Sequence, residues 1–198
     1  MPTTLQSTLE PSMDFADQFK HGLSYDKFLT THGTADQQLR WKSVFDQVKL
    51  SPAQLALLTS FKREMKVLCV AGAWCGDCVS QCPIFAQFAA ATPQIQLRFF
   101  DRDVSSELAQ ELSVCGAPRV PAVLFLSEDN FPCGRYGDRT ISKYRQVASD
   151  LEGVGCSTGI VQLASSLFDS VIQDWLNEFE RIQLILRTSG RLRKLHGD

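Results

Sequence analysis

Histidine is scarce in this chain, with only His21, His32 and His196 among 198 residues. They lie far apart, so no pair has the close spacing of zinc-binding histidines. Long apolar runs are missing too, which excludes a membrane-spanning helix. Met1 to Pro11 is polar and lacks the apolar core of a secretory signal peptide. The net charge is only −2, so no global field draws the chain to nucleic acid or a membrane surface. The one basic cluster, Arg187, Arg191, Arg193 and Lys194, reads as a solvated helix end, where the backbone dipole favours cations. Internal repeats and low-complexity stretches are absent. What remains is ordinary for a soluble globular protein, with 44% hydrophobic and 21% charged residues. The length suits one domain with extensions and a sizeable core.

The seven cysteines are Cys69, Cys75, Cys78, Cys82, Cys115, Cys133 and Cys156. Their number is odd and their spacing is not that of a secreted disulfide framework. A reducing cytoplasm is expected, with most thiols free. Cys75 and Cys78 form a C-x-x-C in Trp74-Cys75-Gly76-Asp77-Cys78. A zinc site would need a second pair of ligands, and no second C-x-x-C exists. Cys75, Cys78 and Cys82 lack the fourth ligand of an iron–sulfur cluster at ferredoxin-type spacing. No metal and no cofactor is therefore expected. The motif follows the apolar run Lys66 to Ala71 and precedes a helix-like segment, Val79 to Ala91. At such a strand-to-helix junction the first cysteine meets free backbone N–H groups that favour a thiolate. The second lies one turn in, where it can resolve a mixed disulfide made by the first.

Three regions are expected. Residues 1–62 form an N-terminal helical arm, with Thr34 as an N-cap and Pro52 opening a helix after Ser51. Residues 63–152 read as strand (67–71), helix, strand (95–101), helix (105–112), strand (121–126), a turn at 127–130, strand (132–136) and helix (140–151). The first two strands are parallel by crossover and the last two antiparallel, giving a four-stranded mixed α/β sheet flanked by helices. Residues 153–198 hold a Gly-rich linker, 153–159, and a long amphipathic helix, 160–187, whose apolar stripe includes Trp175 and Phe179. That stripe demands a covering surface. It is expected against the helical arm, with a homodimer interface as the alternative.

Taken together, these features resemble the thioredoxin superfamily over residues 63–152. Trp74-Cys75-Gly76-Asp77-Cys78 is similar to the family's active-site motif, with Asp in place of Pro. Pro83 falls in the active-site helix, Asp101 closes the second strand, Val120-Pro121 opens the third, and Gly137 follows the hairpin. The W-C-G-D-C variant, the Asp101-Arg102-Asp103 run and the helical arm look closest to a bacterial branch of thioredoxin-like proteins. The resemblance implies a cis bond before Pro121, with the Val120 backbone beside Cys75 as a place for an extended substrate. A trans proline opening an edge strand is the plainer alternative.

The same comparison assigns roles. Cys75 is the nucleophile and Cys78 the resolving thiol. Trp74 is a partly exposed cover that limits access, or else plain core. Gly76 is expected to let the backbone turn without a Cβ clash. Asp77 is a candidate proton carrier, although its charge opposes thiolate formation. Arg119 offsets Asp77 or holds an acidic substrate, or is a solvated loop charge. The family's buried acid and its basic partner correspond here to Cys69 and Leu97, so a costly buried charge pair has become apolar on both sides. Cys82 reads as buried filler, Cys115 as a regulatory candidate, and Cys133 and Cys156 as without redox role. The expected activity is thiol–disulfide exchange, in the reducing direction. Partners would be a protein or small-molecule disulfide and an electron donor, either a reductase or a low-molecular-weight thiol. The competing reading is an interaction or redox-sensing module carrying helical extensions.

Overall fold

The structure, a computed structural model, describes residues 13–152 and 167–198. Four helices come first: α1 (Phe15–His21), α2 (Tyr25–His32), α3 (Ala35–Gln47) and α4 (Pro52–Thr59). Their starts are written in the sequence. Thr34 and Ser51 each cap a helix, their hydroxyls accepting from the Gln37 and Gln54 N–H groups while their own N–H groups donate to those glutamines' side-chain oxygens, so two otherwise orphaned backbone donors are satisfied at each start. The helix α2, capped by Ser24, is not foreseen by the sequence pattern.

Then follow β1 (Met65–Ala71), α5 (Gly76–Ala91), β2 (Ile95–Asp101), α6 (Ser106–Glu111), β3 (Ala122–Ser127), β4 (Pro132–Gly137) and α7 (Ile141–Glu152). The sheet order is β2-β1-β3-β4. β1 pairs parallel with β2 and antiparallel with β3, and β4 returns antiparallel beside β3. This is the mixed, thioredoxin-like α/β sheet with helical extensions that the sequence implies. Register decides which residues face the active-site helix. Cys69 points to α5, where its sulfur lies 3.8 Å from that of Cys82. Phe99 stands beside Cys69, and Phe125 is two residues along the same face. Cys69 is thus paired across the sheet with Phe99, while Leu97 stands beside Val67.

The tail holds α8 (Leu167–Thr188) and α9 (Gly190–His196). The apolar stripe of α8 is buried within the chain, though not mainly on the arm. Trp175 packs on Phe85 and Tyr136 with ring centroids 4.4 and 4.9 Å away, and Phe179 on Phe88 and Phe125 at 5.2 and 5.1 Å. The helix therefore lies over α5 and the sheet. It also packs on α7 and on α4 of the arm, where Gln54 donates to Gln173, and its Gln183 accepts from the Lys62 and Arg63 N–H groups. Edge-to-face aromatic pairs of this kind add about 0.5–1.5 kcal/mol each beyond area.

The basic tail is a solvated helix end, as expected, with Arg187 in the last turn of α8 and Arg193 and Lys194 in that of α9. Ser189 breaks the helix and caps α9. Arg191 then pairs with Asp129 of the β3–β4 turn, and Arg187 with Asp198. The Gly-rich stretch 153–159, Cys156 and the expected helix start at 160–166 lie outside the described residues. Among the described residues no helix is long and apolar enough to cross a membrane.

Candidate active site

The site begins where β1 runs out. After Ala71 the chain turns through Gly72, Ala73 and Trp74, closed by the Cys75 N–H donating to the Gly72 carbonyl at 3.0 Å. Trp41 of α3, fully buried, donates its indole N–H to the Ala73 carbonyl at 2.9 Å and fixes this turn. The glycine that this turn requires is Gly72, since a Cβ there would lie 2.7 Å from the Trp74 ring. Gly76 corrects the expectation placed on it: a Cβ there would meet nothing within 4 Å, so no clash explains it. Trp74 is 47% exposed, with the Arg102 guanidinium 4.5 Å over its ring. That stack restrains the side chain at the rim of the site.

Cys75 is the N-cap of α5, in extended conformation, and no side chain caps the helix there. Its half-exposed sulfur lies 3.6 Å from the Val120 carbonyl oxygen. The Val120-Pro121 bond is cis, as the resemblance implies. Gly137 makes this approach feasible. Its φ is +153°, and a Cβ would lie 2.5 Å from the Pro121 carbonyl, so the end of β4 can pass the proline only without a side chain. Cys78, one turn into α5, is fully buried and receives the Gly72 N–H at 3.5 Å. None of the described cysteines is bridged.

The two thiols influence each other's ionisation. Burial opposes ionisation of Cys78, yet hydrogen bonds from Cys75, Cys82 and the Gly72 N–H bring its pKa down to about 5. The same bond to Cys78, with burial second, pushes the Cys75 thiol up. The pair therefore titrates as a unit. Access separates the roles more firmly than proton position, because only Cys75 can reach another molecule.

Asp77 finds its counter-charge in Arg139, whose Nε and guanidinium NH2 reach it at 2.9 and 2.7 Å. Arg119 does not offset Asp77. It lies 3.5 Å from Asp138 and is half exposed. Burial pushes the Asp138 carboxyl up, but its bond from Tyr144 and the charges of Arg139 and Arg119 leave it below the usual carboxylate range. Gln81 ties these groups together. Its amide donates to the Asp77 and Asp138 carbonyls and its oxygen accepts from the Trp175 indole at 2.9 Å. Arg139 and Gln81 are site residues that the sequence reading misses. Arg139 follows two residues after Gly137, so the pairing of Gly137 with Ala122 is the signal that would bring it beside the motif. Among the described residues no cluster of three His, Cys, Asp or Glu could hold a metal ion.

A family model described as thioredoxin matches residues 22–149. The chain belongs to the thioredoxin family. The match begins within the N-terminal helices, so family resemblance extends beyond the sheet. Two solved structures resemble this thioredoxin-family chain over most of its length. One is a protein of unknown function from Pseudomonas aeruginosa, 19% identical, with a TM-score of 0.68 over 86% of this chain and 96% of that one. The other is an HIV epitope-scaffold, 20% identical, with a TM-score of 0.61 over 90% of this chain and 100% of that one. At such identity the likeness is one of fold. No curated protein matches the chain.

Proposed function

We propose that the protein is a thiol–disulfide oxidoreductase acting as a disulfide reductase, with Cys75 as nucleophile and Cys78 as resolving thiol. The observation that carries this reading is the pairing of a half-exposed sulfur at a helix N-cap with a buried one a turn behind it. Cys75 attacks a substrate disulfide and releases one substrate thiolate. Cys78 then attacks Cys75, releases the second, and leaves a Cys75–Cys78 disulfide. Val120 and Pro121, beside Cys75, offer backbone to an extended substrate. Trp74 limits access, and Arg119, half exposed, adds a positive charge for acidic substrates. Asp77 is held by Arg139, which tempers its repulsion of the thiolate.

A reductase or a small thiol would restore the dithiol, in a reducing compartment such as the cytoplasm. The W-C-G-D-C motif supports placement in a bacterial thioredoxin-like branch. The burial of Trp175 and Phe179 counts against a helix reserved for a partner, and so favours the enzyme over the interaction module. The test is reduction of insulin or dithionitrobenzoate with dithiothreitol as donor. Activity should fall to the uncatalysed rate in Cys75→Ser, while Cys78→Ser should accumulate a mixed disulfide at Cys75. Turnover that survives Cys75→Ser would sink the assignment.

A further inference from the structure

Two pairs of opposite charges belong to the site, and both are built the same way round. Asp138 has only 5% of its side chain exposed, while Arg119, 3.5 Å away, has 45%. Asp77 is 18% exposed and its partner Arg139 26%. In each pair the carboxylate is the more buried member and the guanidinium the more exposed. The four charges cancel in number, yet an arriving molecule meets the cations first. The asymmetry is large for Arg119 and small for Arg139.

Asp138 is itself held on every side. Tyr144 donates its hydroxyl to one carboxylate oxygen, and Arg119 lies against the other. Arg139 stands 3.9 Å from that second oxygen, and Gln81 donates to the Asp138 carbonyl. The carboxylate therefore has a fixed direction, and it gives Arg119 one. Arg119 spends a single long contact on it, so most of the five N–H donors of a guanidinium are left for another molecule. The next residue in the chain is Val120, whose carbonyl oxygen lies 3.6 Å from the Cys75 sulfur. A further positive end is the N-terminus of α5, which starts at Cys75 with no side chain capping it. Arg102, stacked on Trp74, differs. Its partner Asp103, 2.8 Å away, is the more exposed of the two, so both signs face solvent there.

We propose that Arg119, oriented by Asp138 and Tyr144, determines specificity at this site, and that it selects disulfides carrying a carboxylate close to the reacting sulfur. The proposal rests on the thiol–disulfide reading above and names its substrate class. A guanidinium matches a carboxylate through two parallel N–H bonds, so its orientation matters as well as its charge. Asp138 and Tyr144 are positioning residues, since they act through Arg119. In the attack, the Cys75 thiolate forms a bond to one substrate sulfur, the substrate S–S bond breaks, and the other sulfur leaves with the electron pair. Arg119 takes no part in that exchange of bonds. It offsets the repulsion between an anionic substrate and an anionic nucleophile, and the same charge disfavours cationic disulfides.

The experiment uses the full chain, reduced, with Cys115, Cys133 and Cys156 replaced by Ser. Two disulfides are compared: dithionitrobenzoate, with a carboxylate on each half, and dithiodipyridine, which is uncharged. Each releases a chromophore, and the second-order rate constant reads attack by Cys75, because resolution by Cys78 is unimolecular. The readout is the ratio of the two constants, anionic over neutral, in which any change in the reactivity of Cys75 itself divides out. Arg119→Gln should lower that ratio about tenfold at low ionic strength, the low end of charge steering into a cleft. The fall should largely vanish at high salt, where the Debye length is about 3 Å at 1 M. Tyr144→Phe changes no charge and so reads orientation alone; it should lower the ratio by a smaller factor. A ratio that Arg119→Gln leaves in place overturns the proposal, and so does a fall that salt does not diminish. A ratio that Tyr144→Phe leaves in place overturns the positioning role of Asp138 and Tyr144. If neither probe reacts faster than with Cys75→Ser, the oxidoreductase reading fails and takes this one with it. If dithiodipyridine reacts at Cys75 while the ratio ignores Arg119, this inference alone falls.

Discussion

Trp41 and Trp175 are both fully buried, and both direct an indole N–H at the active-site segment, from opposite flanks. Trp41 belongs to the N-terminal helices and packs among Tyr25, Phe28 and Phe99. It bonds directly to backbone, at Ala73, two residues before the nucleophile. Trp175 belongs to the C-terminal helix and bonds to a side chain, Gln81, which passes the hold on to the Asp77 and Asp138 carbonyls. The first contact fixes where Cys75 sits. The second fixes α5 and the segment after β4 relative to each other, and so governs the surroundings of Asp77. Helices that flank the sheet in sequence are therefore part of how the site is held.

The largest effect is expected from Trp175→Ala. It deletes an edge-to-face pair with Phe85, leaves a cavity between α8 and the sheet, and leaves the Gln81 oxygen without its donor. Large-to-small changes of this kind cost about 3–5 kcal/mol. Urea unfolding monitored by far-UV circular dichroism checks it. A loss below about 1 kcal/mol, the scale of a surface substitution, would mean that α8 is peripheral and that the two tryptophans are not comparable.

Trp41→Phe sharpens the contrast, because it keeps much of the ring and removes only the donor. An unpaired buried carbonyl at Ala73 costs about 1–3 kcal/mol. The direct grip on the loop predicts more than a stability change, namely that Cys75 alkylation by iodoacetamide shifts in rate. Trp175→Phe, acting through Gln81, should leave that rate unaltered. Equal effects of the two substitutions on Cys75 would erase the distinction between a backbone hold and a relayed one.

What the sequence made legible was local or strongly patterned. Thr34 and Ser51 with their return glutamines, the strand over 95–101, Asp101 at its end and the proline before β3 all follow from short-range rules. The motif itself could be read the same way, because strand, C-x-x-C and helix adjoin. What stayed hidden depends on register and on distant pairing. Arg139 reaches Asp77 from 62 residues away, and a charge pair at that separation leaves no periodic trace. Arg119 was the nearer guess in the loop before Pro121, but the chain delivers it to Asp138. Gly76 looked like the turn glycine because it sits inside the motif, whereas the crowded position is Gly72, set by where the Trp74 ring folds back. The end of the chain was read correctly as solvated, but its surface ion pairs, Arg187 with Asp198 and Arg191 with Asp129, were not foreseen.

The smallest effect is expected at the charge pair that the Trp175 flank steadies. Arg139 and Asp77 are partly exposed, and pairs of that kind contribute about 0–1 kcal/mol to stability. Arg139→Gln should therefore barely move the urea midpoint. It should still be felt by the thiols, because Asp77 lies within α5 between Cys75 and Cys78, and its charge raises the Cys78 pKa. With the guanidinium gone that repulsion is unopposed. The thiolate form is disfavoured, the apparent pKa of the dithiol rises, and alkylation of Cys75 below the midpoint slows by about twofold, a few tenths of a unit. The sign is fixed, since losing a cation beside an anion can only hinder a second anion there. Salt gives the control: the difference between Arg139→Gln and the unsubstituted protein should shrink as ionic strength rises and the Debye length falls to about 3 Å at 1 M. A pH–rate profile for iodoacetamide at low and high salt measures both. A faster rate in Arg139→Gln, or a shift indifferent to salt, would show that Arg139 acts through the position of the 137–139 segment rather than through its charge, and would assign that flank the same mechanical role as Trp41.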